Sequence, residues 1–173
     1  MTRGSESSPA VVIGVGTIHR GDDGVGSEVA RAVRTRGCLA SVHELDGEPL
    51  SLMEAWRDAD TAIVIDAVAP VHDGEAPPMP GRLHRFDASD APLPAVHRGS
   101  NSTHGLGLAD AVELARAMGQ LPRRLIVLGI EGDTFEPGAS VTPAVRAAIE
   151  AAADAVQCAL EAVAPRSEPS HGE

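Results

Sequence analysis

The stretch GVGTIHRGDDGVG, residues 14–26, sets two adjacent aspartates, Asp22 and Asp23, among five glycines. An apolar run precedes it and a helical pattern follows. Glycine-dense loops at such junctions commonly cradle phosphate, whose charge meets the free N–H groups and dipole of a helix N-terminus. This loop fits neither phosphate pattern. His19 stands where the dinucleotide fingerprint G-x-G-x-x-G needs its third glycine, and Asp22–Asp23 stand where a Walker A loop needs Lys-Ser/Thr. Two carboxylates already fill that positive field and would repel a phosphate. A cation is the ligand they suit.

Two more residues fall where α/β folds bind ligands, outside the carboxyl ends of strands. Asp66 closes the apolar run of AIVIDAV, and His104 stands between a polar loop and a Gly-spaced helix start in STHGLGLAD. The other six histidines, His19, His43, His72, His84, His97 and His171, read as exposed or strand-surface residues. Taken singly, each candidate has an ordinary explanation. Asp22 or Asp23 could cap a helix, Asp66 could serve a turn, and His104 could be a cap or a solvated side chain. Taken together, Asp23, Asp66 and His104 are expected to converge at one sheet edge. Two carboxylates and an imidazole suit a borderline divalent ion such as zinc, nickel or manganese, with open positions left over.

Rival chemistries lack their residues. All 14 basic side chains are arginine, and lysine and tyrosine are absent. A Walker lysine, a Schiff-base lysine and a tyrosine nucleophile are therefore excluded. HELDG, residues 43–47, has Gly47 where a zinc-protease helix has its second histidine, and no serine sits in a G-x-S-x-G elbow. Cys38 and Cys158 are far apart and read as two reduced thiols.

The elements that must position these groups alternate along the chain. AVVIGV (10–15) and TAIVIDAV (61–68) are short continuous apolar runs, as expected of buried parallel strands. LASVHEL (39–45), RLHRFDA (82–88) and RRLIVLGI (123–130) bring the strands to roughly five. Residues 23–36, 50–59, 104–119 and 141–163 carry helical patterns, the last with Thr142 as N-cap and Pro143 as first helical residue. This order predicts a three-layer α/β/α sandwich around a mainly parallel sheet. The 173 residues read as one domain, 1–173, with an ordered core over about 10–163 and polar ends expected to fray.

The net charge of −11 argues against nucleic acid or an anionic membrane surface as partner. No apolar stretch approaches a bilayer-spanning length, and MTRGSESSPA has no signal-peptide core. A cytoplasmic monomer is expected.

Four blocks, VVIGVGTIHRGDDGVGSEVA, VIDAV, STHGLGLADAV and LIVLGIEGDTFEPGASVTPAV, together resemble the hydrogenase maturation proteases in content and order. These endopeptidases remove a C-terminal tail from the large-subunit precursor of nickel–iron hydrogenases. The resemblance implies that Asp23, Asp66 and His104 contact nickel carried by that precursor, and other divalent ions are expected to substitute in vitro. It also implies that Asp46 and Gly47 belong to a substrate-handling loop. Two departures stand out. Thr17 replaces the usual Asn, and DGEPL, Asp46 to Leu50, replaces a loop that commonly reads Asp-Gly-Gly-Thr. The altered loop leaves a non-cleaving, metal-checking chaperone of the large subunit as the alternative.

Overall fold

The computed structural model describes residues 10–70, 77–94 and 107–163. Strands β1 (Ala10–Val15), β2 (Ser41–Leu45), β3 (Thr61–Val68), β4 (Leu83–Asp87) and β5 (Arg124–Glu131) form one sheet in the order β2-β1-β3-β5-β4. Only β4 runs antiparallel, against β5. Every residue of β3 is buried, because β3 lies mid-sheet with helices on both faces. That is why its sequence is continuously apolar instead of alternating. Each buried Val or Ile there contributes roughly 1.5–3 kcal/mol.

On one face, α2 (Pro49–Trp56) and α3 (Leu108–Ala117) bury Leu52, Trp56, Leu108 and Val112 in the cluster that holds Ile13, Val64 and Val127. On the other, α1 (Val25–Arg36), α4 (Pro143–Ala147) and α5 (Ile149–Val163) bury Val29, Val145 and Val156 with Val12, Ile63 and Ile126. The result is the expected α/β sandwich with a mainly parallel, five-stranded sheet. None of the described helices is long and apolar enough to cross a membrane.

Two local expectations shift. The helix expected over 141–163 is broken at Ala148, whose N–H bonds to the Val145 carbonyl in a tighter turn. Residues Gly21–Gly24 form a 3-10 turn, so α1 starts at Val25 and not at 23.

The strand order places a topological switch point between β1 and β3. The chain leaves β1 for β2 on one side and crosses back to β3 on the other. The crevice outside the carboxyl ends of these two strands is where such sheets bind ligands. The segment after β1 carries Asp23, and β3 itself carries Asp66.

Candidate functional site at the carboxyl edge of the sheet

Asp66 lies inside β3, two residues before its end, opposite Gly129 of β5. Strand alternation puts it on the same face as Ala62 and Val64, toward α2 and α3. Only 3% of it is exposed. Burial, and then the charge of nearby Asp23, push its pKa from the ordinary 3.8 up to about 8, against a weaker opposing hydrogen bond with the Ala67 backbone. Asp66 is therefore mainly protonated at neutral pH. Asp23 lies near enough for its charge to be felt at Asp66.

Asp22 and Asp23 divide their roles. The Asp22 side chain is fully buried and accepts from Asp133 N–H at 2.8 Å, Thr134 N–H at 3.1 Å and Thr142 N–H at 2.7 Å. The Thr142 hydroxyl adds a fourth bond at 3.1 Å, so Thr142 precedes Pro143 as expected but its side chain caps Asp22's network instead of α4. Asp22 thus staples the segment after β5 to the segment after β1. Asp23 is half-buried, and its Oδ2 accepts only the Thr17 N–H, at 2.7 Å, among the described contacts. Neither aspartate caps α1, whose N-cap is Gly24.

The glycines serve close backbone approach, and what they approach is the chain itself. A Cβ on Gly26 would strike the carbonyl oxygens of Val15 and Ile65. This glycine lets the first turn of α1 lie directly on the ends of β1 and β3, beside Asp66. Gly16, at φ +137°, would drive a Cβ into the Asp23 carbonyl. Together they bring the Asp23 turn down onto the switch point.

His104 lies outside the described residues. Its surroundings in the chain are informative. Arg116, near the end of α3, donates to the carbonyls of Ala88, Ser89 and Ala91, and Ala88 N–H bonds to Leu125 at the start of β5. The C-terminus of α3 therefore sits at the amino edge of the sheet, and its N-terminus at Leu108 faces the carboxyl edge. There the Gly107 N–H donates to Asp110 at 3.0 Å, ordering the start of the helix four residues beyond His104. Among the described residues, no group of three or more His, Cys, Asp or Glu side chains is placed to hold a metal ion.

In the 46–50 loop, Gly47 takes φ +92°, and the Asp46 carboxylate accepts the Glu48 N–H at 3.2 Å. Glu48 is the N-cap of α2, accepting from Leu50 N–H, Ser51 N–H and the Ser51 hydroxyl, with Pro49 as first helical residue. These bonds hold the Glu48 carboxyl below its ordinary range. The departures from Gly-Thr are thus a side chain that caps α2 and a proline suited to its first position. Replacing Glu48 and Pro49 by Gly and Thr should loosen the start of α2. Circular dichroism and thermal unfolding of the double variant check this, and an unchanged helix content and midpoint would show that the cap contributes little.

One cluster escaped the sequence reading. His84, expected as a strand-surface residue, is part-buried, and its Nε2 lies 2.7 Å from Oε1 of Glu131. The Glu131 side chain is fully buried and also accepts the Met79 N–H at 2.8 Å, with Arg82 3.6 Å away. Desolvation works against its charge, but these hydrogen bonds and the Arg82 and His84 charges outweigh it and hold the carboxyl low. The antiparallel register sets His84 opposite Gly129, the residue that Asp66 faces from the other side.

A family model described as hydrogenase maturation protease matches residues 25–159. The chain is 31% identical over 153 residues to the hydrogenase 2 maturation protease of Escherichia coli (strain K12), covering 87% of this chain and 89% of that protein. It is 32% identical over 152 residues to the hydrogenase expression/formation protein HupD of Rhodobacter capsulatus, covering 85% and 69%. Its fold matches the hydrogenase maturating endopeptidase HybD from E. coli with a TM-score of 0.71 at 31% identity, over 93% of this chain and 99% of that one. The family match runs from the first turn of α1 into α5 and includes Asp66, and the overall fold matches that of a solved family member. This chain belongs to the hydrogenase maturation proteases, a family of peptidases.

Proposed function

We propose that the protein removes the C-terminal tail from the large-subunit precursor of a nickel–iron hydrogenase, recognising the nickel that the precursor carries through Asp23, Asp66 and His104. The observation that best supports this reading is the carboxylate pair: a buried, neutral Asp66 beside Asp23 at the switch point of a maturation protease fold. Paired carboxyls with raised affinity for protons mark functional sites, and an arriving cation relieves their repulsion.

The nickel belongs to the substrate. As it approaches, Asp66 gives up its proton to solvent and both aspartates become anionic ligands, while His104 adds a neutral nitrogen. These groups fix the precursor's C-terminal region against the edge of the sheet. Hydrolysis then adds one water across the peptide bond, leaving a carboxylate on the large subunit and an amine on the released tail. A precursor without its metal gives two carboxyls and an imidazole little to grip.

Co-expression with the cognate precursor tests the assignment. His104→Ala removes one neutral donor and should leave the large subunit at precursor mass. His97→Ala, outside the motif, should process like wild type. Full processing by His104→Ala would contradict the reading.

A further inference from the structure

Among the described residues, six large apolar side chains are well exposed: Ile18, Leu39, Leu50, Met79, Leu114 and Met118. Single exposed apolar residues are ordinary. Three of these fall at one edge of the sheet. Ile18 follows the end of β1 by three residues, Leu50 follows β2 by five, and Met79 is bonded to the last residue of β5. All three stand at the sheet edge that carries Asp23 and Asp66, with exposures of 44%, 66% and 54%. Leu39 precedes β2 at the opposite edge, and Leu114 and Met118 lie toward the far end of α3.

Each of the three is also held in place through backbone bonds. Ile18 is bracketed by Thr17, whose N–H is bound by Asp23, and by His19, which sits at φ 67° with its carbonyl accepting Gly138 N–H at 2.7 Å. The Leu50 N–H is held by Glu48 at 3.1 Å, just after Pro49. The Met79 N–H is held by buried Glu131 at 2.8 Å, and its carbonyl accepts Arg82 N–H at 2.9 Å. A left-handed histidine opposes folding. The chain keeps it beside Ile18 and leaves three apolar side chains in water on a held backbone. Fixed apolar groups lower the ordering cost of binding a partner.

We propose that Ile18, Leu50 and Met79 form a preorganised apolar rim that docks the extended peptide segment flanking the metal in the precursor's C-terminal region. This rests on the processing role proposed above. Asp23, Asp46 and Glu48 stand at the same edge, so the segment that fits places apolar side chains around a cation and carries few acidic ones. The rim supplies affinity for the peptide, and the carboxylates supply the test for metal.

The experiment compares the triple variant Ile18→Ser/Leu50→Ser/Met79→Ser with the control Leu114→Ser/Met118→Ser, using nickel-loaded precursor. The triple variant should raise KM about tenfold or more with kcat nearly unchanged, the signature of lost ground-state binding. Its thermal midpoint and nickel titration should match wild type, and the control should match in every measure. A triple variant with the control's KM overturns the docking rim while leaving the processing role standing. Wild-type protein that neither binds nor cuts the loaded precursor removes both.

Discussion

Asp66→Asn should leave the precursor uncut yet make the folded protein more stable than wild type at pH 8, by on the order of 5 kcal/mol. The sign follows from the two ends of the titration. In the unfolded chain Asp66 ionises near its ordinary 3.8, and in the fold it holds its proton to about 8. Between those values the folded protein binds the extra proton, so Asp66 contributes stability that is fully present below about pH 4 and lost as pH rises toward 8. The amide keeps the shape and never ionises, so the variant should lose this slope. Denaturant unfolding at pH 4 and pH 8 checks it: the two proteins should agree at the lower pH and separate at the higher. The same proton must leave before a cation binds, so wild-type nickel affinity should climb with pH until about 8. Parallel stability curves for the two proteins would show an Asp66 that is already ionised in the fold at neutral pH.

The adjacent aspartates should fail in opposite ways. Asp22→Ala strands three backbone N–H groups and a hydroxyl that its carboxylate now accepts, across the junction of the two segments that build the edge. A loss of about 3–5 kcal/mol is expected, enough to unfold a marginal domain. Asp23→Asn removes a half-exposed charge and should change stability by under about 1 kcal/mol, while processing of the nickel-loaded precursor stops. Urea midpoints and the mass of the large subunit separate the two failures. A stable Asp22→Ala protein, or full processing by Asp23→Asn, would reverse the division of roles.

That division was not legible in the sequence, and the reason is geometric. Asp22 and Asp23 are chemically identical neighbours, but successive side chains of a 3-10 turn point about 120° apart. One therefore faces the interior and the other the crevice. The partners of Asp22 lie at 133, 134 and 142, more than a hundred positions away. No local pattern announces them. The bond between His84 and Glu131 was hidden for the same reason, because it depends on the register of an antiparallel pair. The strands were legible because burial on both faces leaves an unbroken apolar run, as in TAIVIDAV, and Asp66 was legible because it interrupts that run. The break at Ala148 leaves no mark in the alanine-rich VTPAVRAAIEAAADAV, where no Gly or Pro interrupts the helical pattern between Pro143 and Val163. The glycine density of the first loop signals close backbone approach without naming the partner, which is the chain's own backbone at Asp23, Val15 and Ile65.

In the function proposed, metal on the precursor, and not its peptide sequence alone, admits it to this edge. The most direct measurement is the intact mass of the large-subunit precursor, nickel-loaded or nickel-free, after incubation with purified wild-type protein. Loss of one C-terminal fragment from the loaded precursor, with the nickel-free one untouched, is the predicted result. Equal cleavage of the nickel-free precursor would contradict it.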